Sequence, residues 1–124
     1  MKNEMNLETF ALTTVRNGGA TYSLQWGNVS GLPFYSCAIG KETEKRFSGI
    51  FSRAELSAYI SEHSELLASD RYALGAWVDE GVYYLDIVQL LEKRAYSKEM
   101  AVNVGRERQQ IAIFDLEYSE CIYC

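Results

Sequence analysis

Gly75-Ala76-Trp77-Val78-Asp79-Glu80-Gly81-Val82-Tyr83-Tyr84-Leu85-Asp86 decides the fold of this chain. Two β-rich runs, Leu74 to Val78 and Val82 to Val88, flank the turn Asp79-Glu80-Gly81, which is the pattern of an antiparallel hairpin. Downstream, Ser97 stands where it can cap a helix running to about Arg108, with Tyr96, Met100, Ala101 and Val104 as its packing face. Gly105 costs that helix about 1 kcal/mol against alanine, so the helix either ends early or packs closely there. Ile111 to Leu116 reads as a final strand, and Glu117 to Cys124 as a tail. This stretch speaks clearly about architecture. It carries no catalytic constellation, metal set or phosphate loop.

Upstream, the N-terminal third reads as a meander. Phe10 to Val15 is β-rich, and Arg16-Asn17-Gly18-Gly19 is a turn signal because Asn and Gly tolerate positive φ. From Ala20 to Trp26 the chain alternates. Ala20, Tyr22, Leu24 and Trp26 share one face, and Thr21, Ser23 and Gln25 the other, as in a half-buried antiparallel strand. Pro33 opens a third strand through Ile39, an allowed place for proline. Lys41 to Lys45 is a charged turn, and Arg46 to Phe51 a short fourth strand. Ser52-Arg53-Ala54-Glu55 is a capping box opening a helix to about Ala68, with Leu56, Tyr59, Ile60, His63 and Leu67 on its apolar stripe.

The resulting order is ββββ-α-ββ-α-β. It predicts an α+β fold: a mostly antiparallel sheet of six to seven strands with two helices on one face. The last strand follows a helical crossover, which allows parallel pairing with an earlier strand through a right-handed connection. Residues 1–124 read as one domain, with 1–7 and 118–124 as tails.

Seventeen acidic residues against twelve basic ones leave a net charge of −5. That balance argues against direct nucleic-acid binding, which needs a basic patch, and against docking on an anionic membrane. It suits a partner with a basic surface. The polar N-terminus lacks the apolar core of a secretory signal, and no run approaches a membrane span, so the expected location is the cytoplasm. Three cysteines rule out a complete internal disulfide framework. Cys37 falls inside a strand as a small hydrophobe, and Cys121 and Cys124 lie in the tail.

Candidate chemistry is sparse. His63, the single histidine, sits on a helix stripe with no nucleophile motif to serve. Asp79, Glu80, Asp86 and Asp115 would form an acid pair or hard-metal site only by converging at one sheet end. No cofactor and no metal is implied.

The aromatics are more suggestive. Nine tyrosines against five phenylalanines favour a surface that buries area while keeping polar tips. If helices cover one sheet face only, part of this set lies open on the other. Tyr35, Trp77 and Tyr83, rimmed by Asp79 and Glu80, form the expected partner-binding surface. Arg46, Arg71 and Arg106 are the alternative, holding an anionic nucleotide against an aromatic face.

Tyr22-Ser23-Leu24-Gln25-Trp26-Gly27-Asn28-Val29-Ser30-Gly31-Leu32-Pro33-Phe34-Tyr35 resembles the opening of small proteins carried by phages and other mobile elements. Their closing part resembles Tyr84 to Val88, Gly105-Arg106 and Gln110 to Leu116. The resemblance covers roughly residues 20 to 117 and carries over no catalytic residue. It implies an inhibitor of host defence, including the anti-CRISPR type, that blocks a host protein complex such as a CRISPR effector by steric occlusion. The alternative is a nucleotide binder or sponge. An enzyme has the least support. Self-association through an edge strand or the open sheet face is compatible with the pattern.

Overall fold

The computed structural model describes the backbone of residues 2–124 and the side chains of residues 7–124. Its fold is α+β. The elements run α1 (Lys2–Asn17), β1 (Gly19–Ser23), β2 (Gly27–Asn28), β3 (Phe34–Ala38), a 3-10 turn (Lys41–Thr43), β4 (Lys45–Phe47), α2 (Arg53–Glu62), α3 (Ser64–Leu67), β5 (Tyr72–Asp79), β6 (Val82–Glu92), α4 (Lys98–Glu107), β7 (Ala112–Asp115) and β8 (Glu120–Tyr123). One sheet takes the order β2-β1-β5-β6-β3-β7-β8. β6 is long enough for two neighbours on one edge, with β3 beside Val88–Glu92 and β4 beside Tyr83–Leu85. Every pairing is antiparallel.

The expected first strand, Phe10 to Val15, is the C-terminal part of α1. Helical spacing wins over β-propensity because Leu7, Phe10 and Thr14 fall on one buried side. Phe10 packs on Tyr22 and Phe51, with ring centroids 6.1 and 6.0 Å away. Thr14 satisfies its buried hydroxyl by donating to the Phe10 carbonyl at 2.9 Å. The Asn17-Gly18 signal is used, but as a helix stop: Gly18 has φ +79 and its N–H bonds the Thr14 carbonyl.

Four helices therefore pack where two were expected, all on one sheet face. Tyr22, Leu74, Ala76, Leu85 and Ile87 share a pleat and meet Leu7, Phe10, Leu56, Tyr59 and Leu67 in the main core. Tyr35, Cys37, Leu91 and Ile113 continue that face beneath Ala101 of α4. Gly105 is there for close packing: a Cβ would stand 2.5 Å from Cys124 Sγ and 3.0 Å from Ile113 Cγ2. Met100, assigned to the packing face, is exposed.

Other boundaries shift for local reasons. The Ser52–Glu55 capping box forms as read, with bonds of 3.1 and 2.8 Å. Its helix breaks at His63, so Ala68 is reached through the separate short α3. β1 ends at Ser23, whose hydroxyl accepts from the Gln25 and Trp26 amides at 3.1 Å each, turning the chain before Trp26. The expected tail contains β8, which closes on β7. β7 runs parallel to β6 after the α4 crossover, yet β3 lies between them, so β7 pairs antiparallel with β3 and β8.

The opposite sheet face is covered at one end only. The loop through Val29 crosses it, and fully buried Val29 packs with Ala73, Val88, Leu90 and Leu116. The hairpin end of β5 and β6 carries no helix on this side.

Candidate functional site: an aromatic row on the open sheet face

On the open face the register places Gly19, Trp77, Tyr84 and Arg46 in one row across β1, β5, β6 and β4. Trp77 and Tyr84 are a cross-strand pair whose rings stack at 3.9 Å and 6°. The Arg46 guanidinium carbon lies 5.4 Å from the Tyr84 ring centroid, within cation–π reach. Its Nε donates to Glu44 at 3.1 Å. Gly19 puts no side chain beside Trp77 on the far side, and Trp77 stays 40% exposed.

The next row holds Thr21, Gly75 and Asp86. Gly75 makes room for the carboxylate, since a Cβ there would lie 2.5 Å from Asp86 Oδ1. Asp86 is only 8% exposed. It makes no hydrogen bond or ion pair among the described residues. Burial above all, and the negative charge of Glu44 second, push its pKa up to about 7.

The hairpin turn explains why Trp77 and Tyr83, expected on one face, lie on opposite faces. A three-residue loop at Asp79-Glu80-Gly81 pairs Trp77 with Tyr83. The actual loop is two residues, Glu80 (φ 50) and Gly81 (φ 79), and Asp79 pairs with Val82. That one-residue difference exchanges faces. Tyr84 joins Trp77, while Tyr83 turns to the helix side and meets Phe51 edge-on. Tyr35 is likewise corrected: it is buried on the helix side, with the Lys93 ammonium 4.8 Å from its ring centroid. Asp79 and Glu80 are exposed at the hairpin tip, as a rim requires.

Arg46, Arg71 and Arg106 do not converge. The Arg71 carbonyl accepts from Leu90 N–H, six residues along β6 from Tyr84, or about 20 Å at strand rise. Arg106 is on α4, across the sheet. The four carboxylates also separate. Asp115 lies on the helix side, bound by Lys93 at 2.9 Å. His63 sits at the break between α2 and α3, its ring tilted against Tyr59 with centroids 4.5 Å apart. Among the described residues no group of three or more His, Cys, Asp or Glu is placed to hold a metal ion. No helix among them is long and apolar enough to cross a membrane. Cys121 is exposed while Cys124 packs on Gly105, and burial raises the pKa of the Cys37 thiol.

No family model, curated protein or solved structure matches the chain.

Proposed function

We propose that this chain is a non-enzymatic binding protein whose open sheet face docks on a host protein complex with a basic surface. The carrying observation is the stacked Trp77–Tyr84 pair, left open to solvent at the unclad end of the sheet. Trp, Tyr and Arg are the side chains most enriched at interface hot spots. Here they occur together as Trp77, Tyr84 and Arg46. Each ring already fixes the other, so docking immobilises few further rotamers.

Acid surrounds this centre. Asp79 and Glu80 stand at the hairpin tip and Glu44 beside Arg46. With a net charge of −5, this rim favours approach to a lysine- and arginine-rich face and disfavours nucleic acid itself. A nucleic-acid-binding groove of a host complex has that character. The reading agrees with the sequence resemblance to mobile-element inhibitors of the anti-CRISPR type, acting by occlusion in the bacterial cytosol.

Affinity capture with the tagged chain from bacterial lysate tests it. The expected result is one stoichiometric, basic host complex whose recovery falls as salt is raised. Recovery of the chain alone contradicts the proposal.

A further inference from the structure

Asp86 stands on the open sheet face, in the row beside Trp77 and Tyr84. It is more than nine-tenths buried, yet its carboxylate makes no hydrogen bond or ion pair among the described residues. That is unusual, because ionised oxygens are costly to take out of water unless they are bonded or paired. Among the described residues, the side-chain atoms sealed from solvent without a partner are the Tyr22 hydroxyl and one Arg108 guanidinium nitrogen. The unbonded Asp86 oxygens are not in that set, so solvent still reaches them. Asp86 is recessed, not sealed.

The neighbours explain the recess and offer no countercharge. On β5 the facing residue is Gly75, where a Cβ would stand 2.5 Å from Asp86 Oδ1 and 3.0 Å from Val88 Cγ1. The carboxylate therefore lies over bare backbone. Toward the hairpin turn stand Trp77 and Tyr84, about 7 Å away at strand rise. On the other side Val88 packs with Val29. Thr21, beyond Gly75 on β1, is uncharged, and residues 24–33 contain no ionisable side chain. Glu44 precedes Lys45, the partner of Leu85, and so stands beside Asp86. Its carboxylate is already taken by Arg46 Nε at 3.1 Å. Across the sheet, burial keeps the Tyr59 phenol protonated and neutral. The charge that faces Asp86 is that of Glu44, and it is of the same sign.

A cation from outside supplies what is missing. An ammonium is compact and enters a narrow opening end-on, whereas a guanidinium is a planar fork that engages a carboxylate side by side. A lysine stem also lies well along an aromatic ring while its charged tip reaches further. A hard metal ion needs several oxygen ligands, and no such group is placed among the described residues.

We propose that Asp86 receives the ammonium of a lysine on the partner's basic surface, with the lysine stem lying along Trp77. This rests on the docking proposed above and adds the group that is recognised there. In the free chain a proton holds the place, since burial and Glu44 raise the Asp86 carboxyl to about 7. The entering ammonium displaces it.

NMR titration of the full chain with Nα-acetyl-lysine N-methylamide tests this, against the arginine and norleucine counterparts. At pH 8 the lysine compound is expected to shift the Trp77 indole signal with a Kd of about 1–10 mM. The other two should bind at least about threefold more weakly. Near pH 5.5 the lysine keeps its charge but Asp86 holds its proton, so affinity should fall about tenfold or more. Asp86→Asn, nearly the same shape, should lose about tenfold at pH 8 and lose the pH dependence as well. Asp70→Asn, the same change of charge at an exposed turn before β5, should bind like the parent. No binding of the lysine compound, equal binding of either counterpart, or undiminished binding by Asp86→Asn overturns the proposal. Lysate capture separates it from the docking itself. Equal capture of a host complex by parent and Asp86→Asn defeats the lysine assignment and leaves the docking intact. Capture of nothing by the parent, with the lysine compound still bound at Asp86, defeats the docking and leaves the ammonium site.

Discussion

Trp77 and Tyr84 stand directly opposite each other on β5 and β6, their rings 3.9 Å apart and 6° from parallel. Aromatic pairs of this kind add about 0.5–1.5 kcal/mol beyond the area they bury. Urea denaturation of Trp77→Ala, Tyr84→Ala and the double variant should therefore return a coupling energy of that size. Each single variant should cost about 1–2 kcal/mol and still fold. A coupling near zero means that the two rings act independently.

Asp86 makes stability depend on pH in a defined direction. Its ordinary value of 3.8 rises to about 7 in the fold, through burial first and Glu44 second. The folded chain thus holds a proton that the unfolded chain releases. Its contribution is complete below about pH 4, declines as pH climbs toward 7, and levels off above. Asp86→Asn should match the parent near pH 4 and exceed it by on the order of 2–4 kcal/mol at pH 8. Parallel stability curves for the two proteins would refute this.

Glu80 occupies a left-handed position, φ 50, in a two-residue turn that favours Asn-Gly. Glu80→Asn should raise stability by about 0.5–1 kcal/mol in chemical denaturation. No gain, or a loss, would mean that the glutamate makes a compensating contact.

Lys93 ties the C-terminal strands to the sheet. It bonds Asp115 at 2.9 Å and Glu117 at 2.8 Å, and lies 4.8 and 4.7 Å from the ring centroids of Tyr35 and Tyr118. Burial alone lowers its pKa; the bonds to Glu117 and Asp115 outweigh this and hold the ammonium above its ordinary value. Lys93→Met should cost about 1–3 kcal/mol, since buried Asp115 loses its countercharge and keeps only the Glu117 and Tyr118 amides as partners. Adding Asp115→Asn should restore part of the loss. Equal stability of single and double variants would argue against that cause.

The hairpin, the Ser52 capping box, the Ser97 cap and the antiparallel character were legible because each rests on short-range chemistry written in a few neighbouring residues. The rest depends on distant partners. Phe10 to Val15 is as β-prone as a strand, and only Phe51 and Tyr22, far along the chain, make its helical face the better one. Asn17-Gly18 announces positive φ without saying whether a hairpin or a helix end uses it. The site turned on a single residue of register. Trp77 lies on the open face, and the two-residue loop puts Tyr84 there beside it, where a three-residue loop would have put Tyr83. Glu44 joins the neighbourhood only through the pairing of β4 with β6, whereas Asp86, two residues beyond Tyr84 on β6, shares its face by strand alternation.

If the Trp77–Tyr84 row is the partner-binding surface, its two aromatic side chains carry the affinity. The most direct test compares parent, Trp77→Ala, Tyr84→Ala and Arg106→Ala in the same lysate capture, quantified by mass spectrometry, with each variant's fold verified by its melting transition. Both aromatic variants should fold and lose the host complex by about 30-fold or more, while Arg106→Ala, across the sheet on α4, should retain it. Undiminished capture by Trp77→Ala and Tyr84→Ala would contradict it.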